Sequence, residues 1–190
     1  MRYLVREHFR AERGEGTFAG RTAYFIHMAD VYPPERAPEY AKTPEQVAAL
    51  VKAPRGGIVV LSAPEHRLCY LDAAITAIKS RGDWPIHVDS WGHHPLPLYA
   101  DWLAVAVAPR HRPPLEENVA RADEFRVYVD SKYSLVAGLQ ACANRKRGAI
   151  VILSPTGDAS DDPHVRRLIL EAVKKTPNVW ASEAVLVGCL

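Results

Sequence analysis

Cysteine is scarce in this chain. Its 190 residues include three, Cys69, Cys142 and Cys189, with none in a C-x-x-C pair. That count and spacing argue against a disulfide framework and against paired-thiol metal sites, so free thiols in a reducing cytoplasm are expected. An excess of charge is lacking too: 24 basic side chains face 22 acidic ones, a net charge of +2, and no whole-protein field draws nucleic acid or an anionic membrane. No stretch approaches the roughly 20 apolar residues of a membrane-spanning helix, and the residues from Met1 to His8 lack the apolar run of a signal peptide. The expectation is a cytoplasmic protein with no membrane partner.

Several signatures are missing as well. The chain has no GxxxxGK[ST] phosphate loop, no GxGxxG after a strand, no HExxH and no GxSxG elbow. Their absence weighs against a P-loop NTPase, a dinucleotide oxidoreductase, a zincin and an ordinary α/β-hydrolase. The 2 methionines and 15 prolines, beside many Ala and Arg, give a thermophile-like composition that says nothing about activity.

What the chain does have is a rhythm. Near-continuous apolar runs at Ala23–His27, Gly57–Pro64, Ile86–Ser90, Val127–Ser131 and Ala149–Pro155 alternate with helical stretches and end on small or polar residues. Parallel strands buried on both faces read this way. The length suits one domain, predicted as an α/β three-layer sandwich with a mainly parallel sheet, Rossmann-like or flavodoxin-like. Residues 1–55 form an N-terminal extension, in which strands at Tyr3–Phe9 and Thr22–Met28 pair across the glycines 14 and 16, and residues 56–190 carry the main βα repeats. Pro33, Pro34, Pro38 and Pro44 make a stiff connector.

Helices are predicted over Glu45–Lys52, along Leu68, Leu71, Ile75 and Ile78, over Leu115–Ala122, over Ser134–Asn144, and from Asp162-Pro163 onward. Leu96–Ala108 is apolar on every side, so it reads either as a buried helix or as a helix running into a strand at Leu103–Val107. A last strand is expected at Ala184–Val187.

In open parallel sheets ligands bind beyond the strand carboxyl ends, which directs attention to the polar residues there. Asp89-Ser90-Trp91-Gly92-His93-His94-Pro95 offers Asp89 and His93 as catalytic candidates, a carboxylate and an imidazole able to move protons, and Trp91 as a stacking surface. The same residues also suit a turn shaped by Gly92 and Pro95. Asp130 is the third catalytic candidate, since a carboxylate ending a buried strand must find donors or a cation. After it, Ser131 and Ser134 either cap a helix or bind a phosphate with its amides.

Thr156, Gly157 and Asp158 follow the next strand as ligand-binding candidates. With Asp161, Asp162 and His164 they leave a divalent ion open, although acids ahead of a helix start are also favoured structurally. Ser62 and Glu65 complete the candidate set. No metal site and no cofactor is assigned. The basic clusters Arg110-His111-Arg112 and Arg145-Lys146-Arg147 keep nucleic acid open as a partner, and a homo-oligomer is equally open.

One stretch resembles a known family. Ile58-Val59-Val60-Leu61-Ser62-Ala63-Pro64-Glu65-His66-Arg67, the strand ending at Asp89, Asn118 to Ser131 with its Ala122-Asp123 pair, and Gly148 to Ile152 are together similar to the nucleoside 2-deoxyribosyltransferase-like group. The resemblance covers Gly57 to Leu153. It implies a pocket for a nucleoside, nucleotide or similar phosphorylated metabolite, with cleavage or transfer at a glycosidic or phosphoester bond. It departs at the nucleophile, because the helix over Ser134–Asn144 carries no glutamate and Gln140 cannot attack an anomeric carbon. A hydrolase or transferase is therefore one expectation, and a non-catalytic nucleotide-sensing, RNA-binding or protein-interaction module is the other.

Overall fold

A computed structural model describes residues 1–14, 16–29, 41–182 and 185. The chain groups into two compact units, one formed by Met1–Gly14, Ala19–Ser90 and His94–Leu103, the other by Glu15–Phe18, Trp91–His93 and Ala104–Leu190.

The first unit opens with β1 (Tyr3–Glu12) and β2 (Thr22–Met28), which pair antiparallel from Val5↔Met28 to Glu12↔Thr22. This is the pairing predicted for the strands at Tyr3–Phe9 and Thr22–Met28. A two-residue strand β3 (Ala41–Lys42) lies antiparallel against the start of β1. Then come helix α1 (Pro44–Leu50), β4 (Ile58–Ser62), a 3-10 turn at Glu65–Tyr70, α2 (Asp72–Lys79) and β5 (Ile86–Ser90). β2, β4 and β5 run parallel, with Ile26 opposite Leu61 and Leu61 opposite Val88. Ile58 to Leu61 are all buried, as the unbroken apolar run requires of a strand covered on both faces.

α1 begins at a reciprocal cap: Thr43 Oγ1 accepts from the Gln46 amide while the Gln46 side chain accepts from the Thr43 amide, and Pro44 supplies a preset φ at the first helical position. The long helix predicted through Leu68 and Ile78 is divided at Leu71, with 3-10 geometry before it and α geometry after. Its apolar face is nonetheless continuous, since Leu68, Leu71, Ile75 and Ile78 are all fully buried.

Leu96–Asp101 contains no helix. Its amides are spent within the same unit: Asp72 Oδ1 accepts from the Leu98 and Tyr99 amides, and the Ile86 carbonyl accepts from the Asp101 amide while Asp101 Oδ2 accepts from the Ile86 amide. Pro95 and Pro97 remove two more donors that a helix would need. The strand half of the expectation is correct, as β6 spans Trp102–Val107.

The second unit holds Ala104–Val107 of β6, then α3 (Glu116–Arg121), β7 (Glu124–Val129), α4 (Lys132–Ala141), β8 (Ile150–Pro155), a 3-10 turn at Gly157–Ala159, α5 (Pro163–Lys175) and β9 (Val179–Ala181). β6, β7, β8 and β9 are successive parallel neighbours. Every pairing described, apart from the two made by β1, is parallel, so the fold is the predicted α/β sandwich with a mainly parallel sheet. The strand expected at 184–187 and the connector at Pro33, Pro34 and Pro38 lie outside the described residues, except Val185. Among the described residues no helix is long and apolar enough to cross a membrane.

Cys142 ends α4 and is fully buried, and burial pushes its thiol up to about 12. Only a thiolate attacks an alkylating agent. At pH 8 iodoacetamide should therefore leave Cys142 unmodified in the native protein and modify it once urea unfolds the chain, a contrast that peptide mass mapping reads directly.

Candidate ligand-binding site

In the second unit a pocket of ≈ 600 Å³ lies at the carboxyl ends of β6 and β7. One wall is the segment following β6, with Arg110 and His111. The opposite wall is Tyr128 of β7, then Asp130, Ser131 and the first turns of α4 as far as Gln140. α4 can lie so close to β7 because residue 138 is glycine: a Cβ there would collide with Val127. A second cavity, in the first unit beside Tyr3, Arg67 and Tyr70, has only ≈ 140 Å³ and is below the size of ordinary ligand pockets, which begin at about 300 Å³.

Asp130 is exposed at the pocket wall. Ser131 Oγ donates to its Oδ1 at 2.9 Å. The hydroxyls of Ser134 and Ser131, ahead of the Arg110 charge, hold its carboxyl below the ordinary value of 3.8. The group is thus a fixed anion at neutral pH. Ser131 and Ser134 also close a capping box: Ser131 Oγ accepts from the Ser134 amide at 3.2 Å, and Ser134 Oγ accepts from the amides of Asp130 and Ser131, each at 3.0 Å. Helix capping accounts for both serines, so their amides are already taken.

Arg110 reaches the pocket rim with φ +66, a left-handed conformation that costs energy for a side chain of this size. Beside it, the His111 ring stacks on the Trp91 indole with centroids 4.3 Å apart and planes within 9°. Tyr128 lies 6.3 Å from the same indole. Trp91 therefore enters the pocket through His111, as a backing plate rather than as a lining residue.

The neighbouring His93 is tied down. Its Nε2 lies 2.8 Å from the Arg112 carbonyl oxygen, and Arg112 Nη2 donates to the His93 carbonyl at 2.5 Å. Gly92 takes φ +70 between them, and its carbonyl accepts from the Leu115 amide and from Asn118 Nδ2. A Cβ at position 92 would lie 2.7 Å from Pro114, so the turn requires glycine. The turn interpretation of this segment accounts for Gly92, and the aromatic interpretation accounts for Trp91.

The remaining candidates are elsewhere. Thr156 donates its amide to the Val129 carbonyl, and Gly157 and Asp158 form the short 3-10 turn beyond it. Asp162 caps α5 by accepting from the His164 amide at 2.8 Å. Among the described residues no group of three or more His, Cys, Asp or Glu side chains is arranged to hold a metal ion.

Asp89, Ser62 and Glu65 belong to the first unit. There Asp89 Oδ1 accepts from Arg13 Nη2 at 2.7 Å, Ser90 Oγ donates to Glu65 Oε1 at 2.9 Å, and Ser62 sits opposite His27 at the end of β4. Sequence reasoning passed over Arg110, His111 and Tyr128 as site residues. The signal was present in the basic cluster Arg110 to Arg112 following a strand end, but the undecided reading of Leu96–Ala108 hid that end.

No family model and no curated protein matches the chain. The crystal structure of QueE from Escherichia coli is similar to it, with a TM-score of 0.75, 18% sequence identity, 96% of this chain covered and 93% of that one. An identity this low describes a shared α/β fold over the whole length.

Proposed function

We propose that the protein binds a nucleoside or nucleotide in the pocket at the carboxyl ends of β6 and β7. The observation that carries this reading is the lining itself. A pocket of ≈ 600 Å³ sets an aromatic side, Tyr128 and the Trp91-backed His111, beside two opposite charges in its lining, Arg110 and Asp130. A planar base suits the first and a sugar or phosphate suits the second. The resemblance of Gly57 to Leu153 to the nucleoside 2-deoxyribosyltransferase-like group points to the same ligand class.

If the bound molecule is cleaved or transferred, Asp130 is the group to carry the step, as a nucleophile or base at a glycosidic or phosphoester bond. Asp89 and His93 recede as partners, since each is occupied by an arginine or its backbone. The non-catalytic reading draws on one specific feature: the Ser134 and Ser131 hydroxyls stabilise Asp130 as an anion.

Titration calorimetry with ribonucleosides, deoxyribonucleosides and their 5′-monophosphates, followed by chromatography of the incubated mixtures, tests both readings. Binding of at least one compound, weakened by Asp130→Asn, is expected. Loss of product with Asp130→Asn at unchanged melting temperature would favour an enzyme. No binding across the set would reject the pocket as a nucleotide site.

The pH dependence has a definite sign. Because the Asp130 carboxyl titrates below its ordinary 3.8, the anion persists from neutral pH downward and is lost only in strong acid. The contribution of Asp130 to binding should therefore be flat between pH 7 and about pH 5, read as a constant ratio of wild-type to Asp130→Asn affinity. A ratio falling over that interval would assign the interaction to another group.

A further inference from the structure

The capped start of α4 makes the pocket a poor phosphate site. Phosphate at the foot of a helix is held by unoccupied amides and by the positive end of the helix dipole. Here the amides of Asp130 and Ser131 donate to Ser134 Oγ and the Ser134 amide donates to Ser131 Oγ, so the cap takes three amides and leaves those of Lys132 and Tyr133, beside the Asp130 carboxylate, to an anion. The Asp130 carboxylate stands at the same helix start and repels a second anion. Arg110 and Asp130 are the two charged side chains lining the pocket when His111 is neutral, so their formal charges cancel.

A carboxylate has room for about four hydrogen bonds, and Ser131 Oγ supplies one to Oδ1. What such a group accepts well is a pair of neighbouring hydroxyls, as acidic residues accept the ribose hydroxyl in dinucleotide-binding folds. An apolar edge of the same pocket, Tyr128 with His111 on Trp91, then faces the base at the other end of the ligand.

Building on the nucleoside-or-nucleotide reading of this site, we infer that the pocket selects the uncharged ribonucleoside, with Asp130 accepting from the 2′- and 3′-hydroxyls, and discriminates against both the 5′-phosphate and the 2′-deoxy sugar. Asp130 is here a specificity-determining residue whose effect depends on the ligand's sugar.

The test is a cycle in the full-length protein, using titration calorimetry. Adenosine, guanosine, cytidine and uridine are compared with their 2′-deoxy forms and their 5′-monophosphates, in wild type and Asp130→Asn. For whichever base binds, the deoxy form should bind about ten- to a hundredfold more weakly, the span of one hydrogen bond to a charged acceptor. The monophosphate should bind no more tightly than the nucleoside. Asp130→Asn should weaken the ribonucleoside more than the deoxynucleoside, which keeps only the 3′-hydroxyl contact with this residue.

Tenfold tighter binding of a monophosphate, equal affinity for ribo and deoxy forms, or an equal loss of both in Asp130→Asn would each overturn the inference while leaving nucleotide binding intact. Absence of binding by every compound would reject the inference together with the function on which it rests. The melting temperature of Asp130→Asn, measured in parallel, confirms that the variant is folded when affinity is compared.

Discussion

Glu124→Ala is expected to cost about 3–5 kcal/mol of folding stability, enough to unfold a protein of ordinary margin. Glu124 is fully buried in β7, and its Oε1 accepts from Arg126 Nε at 2.7 Å, with Arg126 itself only 7% exposed. Oε2 accepts from the Thr17 amide at 2.8 Å. Alanine would take the carboxylate away from a buried guanidinium and from the Thr17 amide that donates to it. Replacing both members by Glu124→Leu and Arg126→Met should recover much of the loss, because removing a buried pair together removes both desolvation costs. Urea denaturation of the single and double variants measures this. A single variant within 1 kcal/mol of wild type would show that water reaches the pair.

That pair illustrates what the sequence could not disclose. Glu124 and Arg126 alternate with Phe125 and Val127 in a strand, and an acid and a base two apart read as an ordinary solvated face. Their burial depends on what covers that face, including the remote residue Thr17. The strands themselves were legible, since Ile58–Leu61 and Val151–Leu153 are unbroken apolar runs that only a two-sided covering explains. Two caps were legible too: Ser131 and Asp162 each sit where a short polar side chain precedes a helix.

The site was legible by half. A strand-end carboxylate announced Asp130, but Arg110 and His111 follow a strand whose start is obscured by the all-apolar Leu96–Ala108. Periodicity cannot separate a helix from a strand there, because Asp72, which accepts from the Leu98 and Tyr99 amides, acts from a distance in sequence. For Ser131 and Ser134, the hydrogen-bond geometry shows the helix cap, the role that the sequence favours over phosphate binding.

Asp89, a candidate for chemistry in the sequence, also makes a contact that bears on the fold. Arg13 is 3% exposed, and its Nε and Nη1 find no acceptor among the described residues, so the bond from Nη2 to Asp89 is what balances the charge of a buried cation. Asp89→Ala would strip that partner away and should destabilise the protein by about 3–5 kcal/mol. Asp89→Asn keeps the shape and an acceptor oxygen and should lose less, because the carboxamide still accepts from Nη2 but no longer balances the charge.

Pairing Asp89→Ala with Arg13→Met removes the uncompensated guanidinium and should be more stable than Asp89→Ala alone, a non-additivity that isolates the pair from all other effects. Thermal and urea unfolding of the four proteins measure it. If Asp89→Ala instead unfolds like wild type while turnover of a nucleoside substrate disappears, the carboxylate serves chemistry and its contact with Arg13 is incidental.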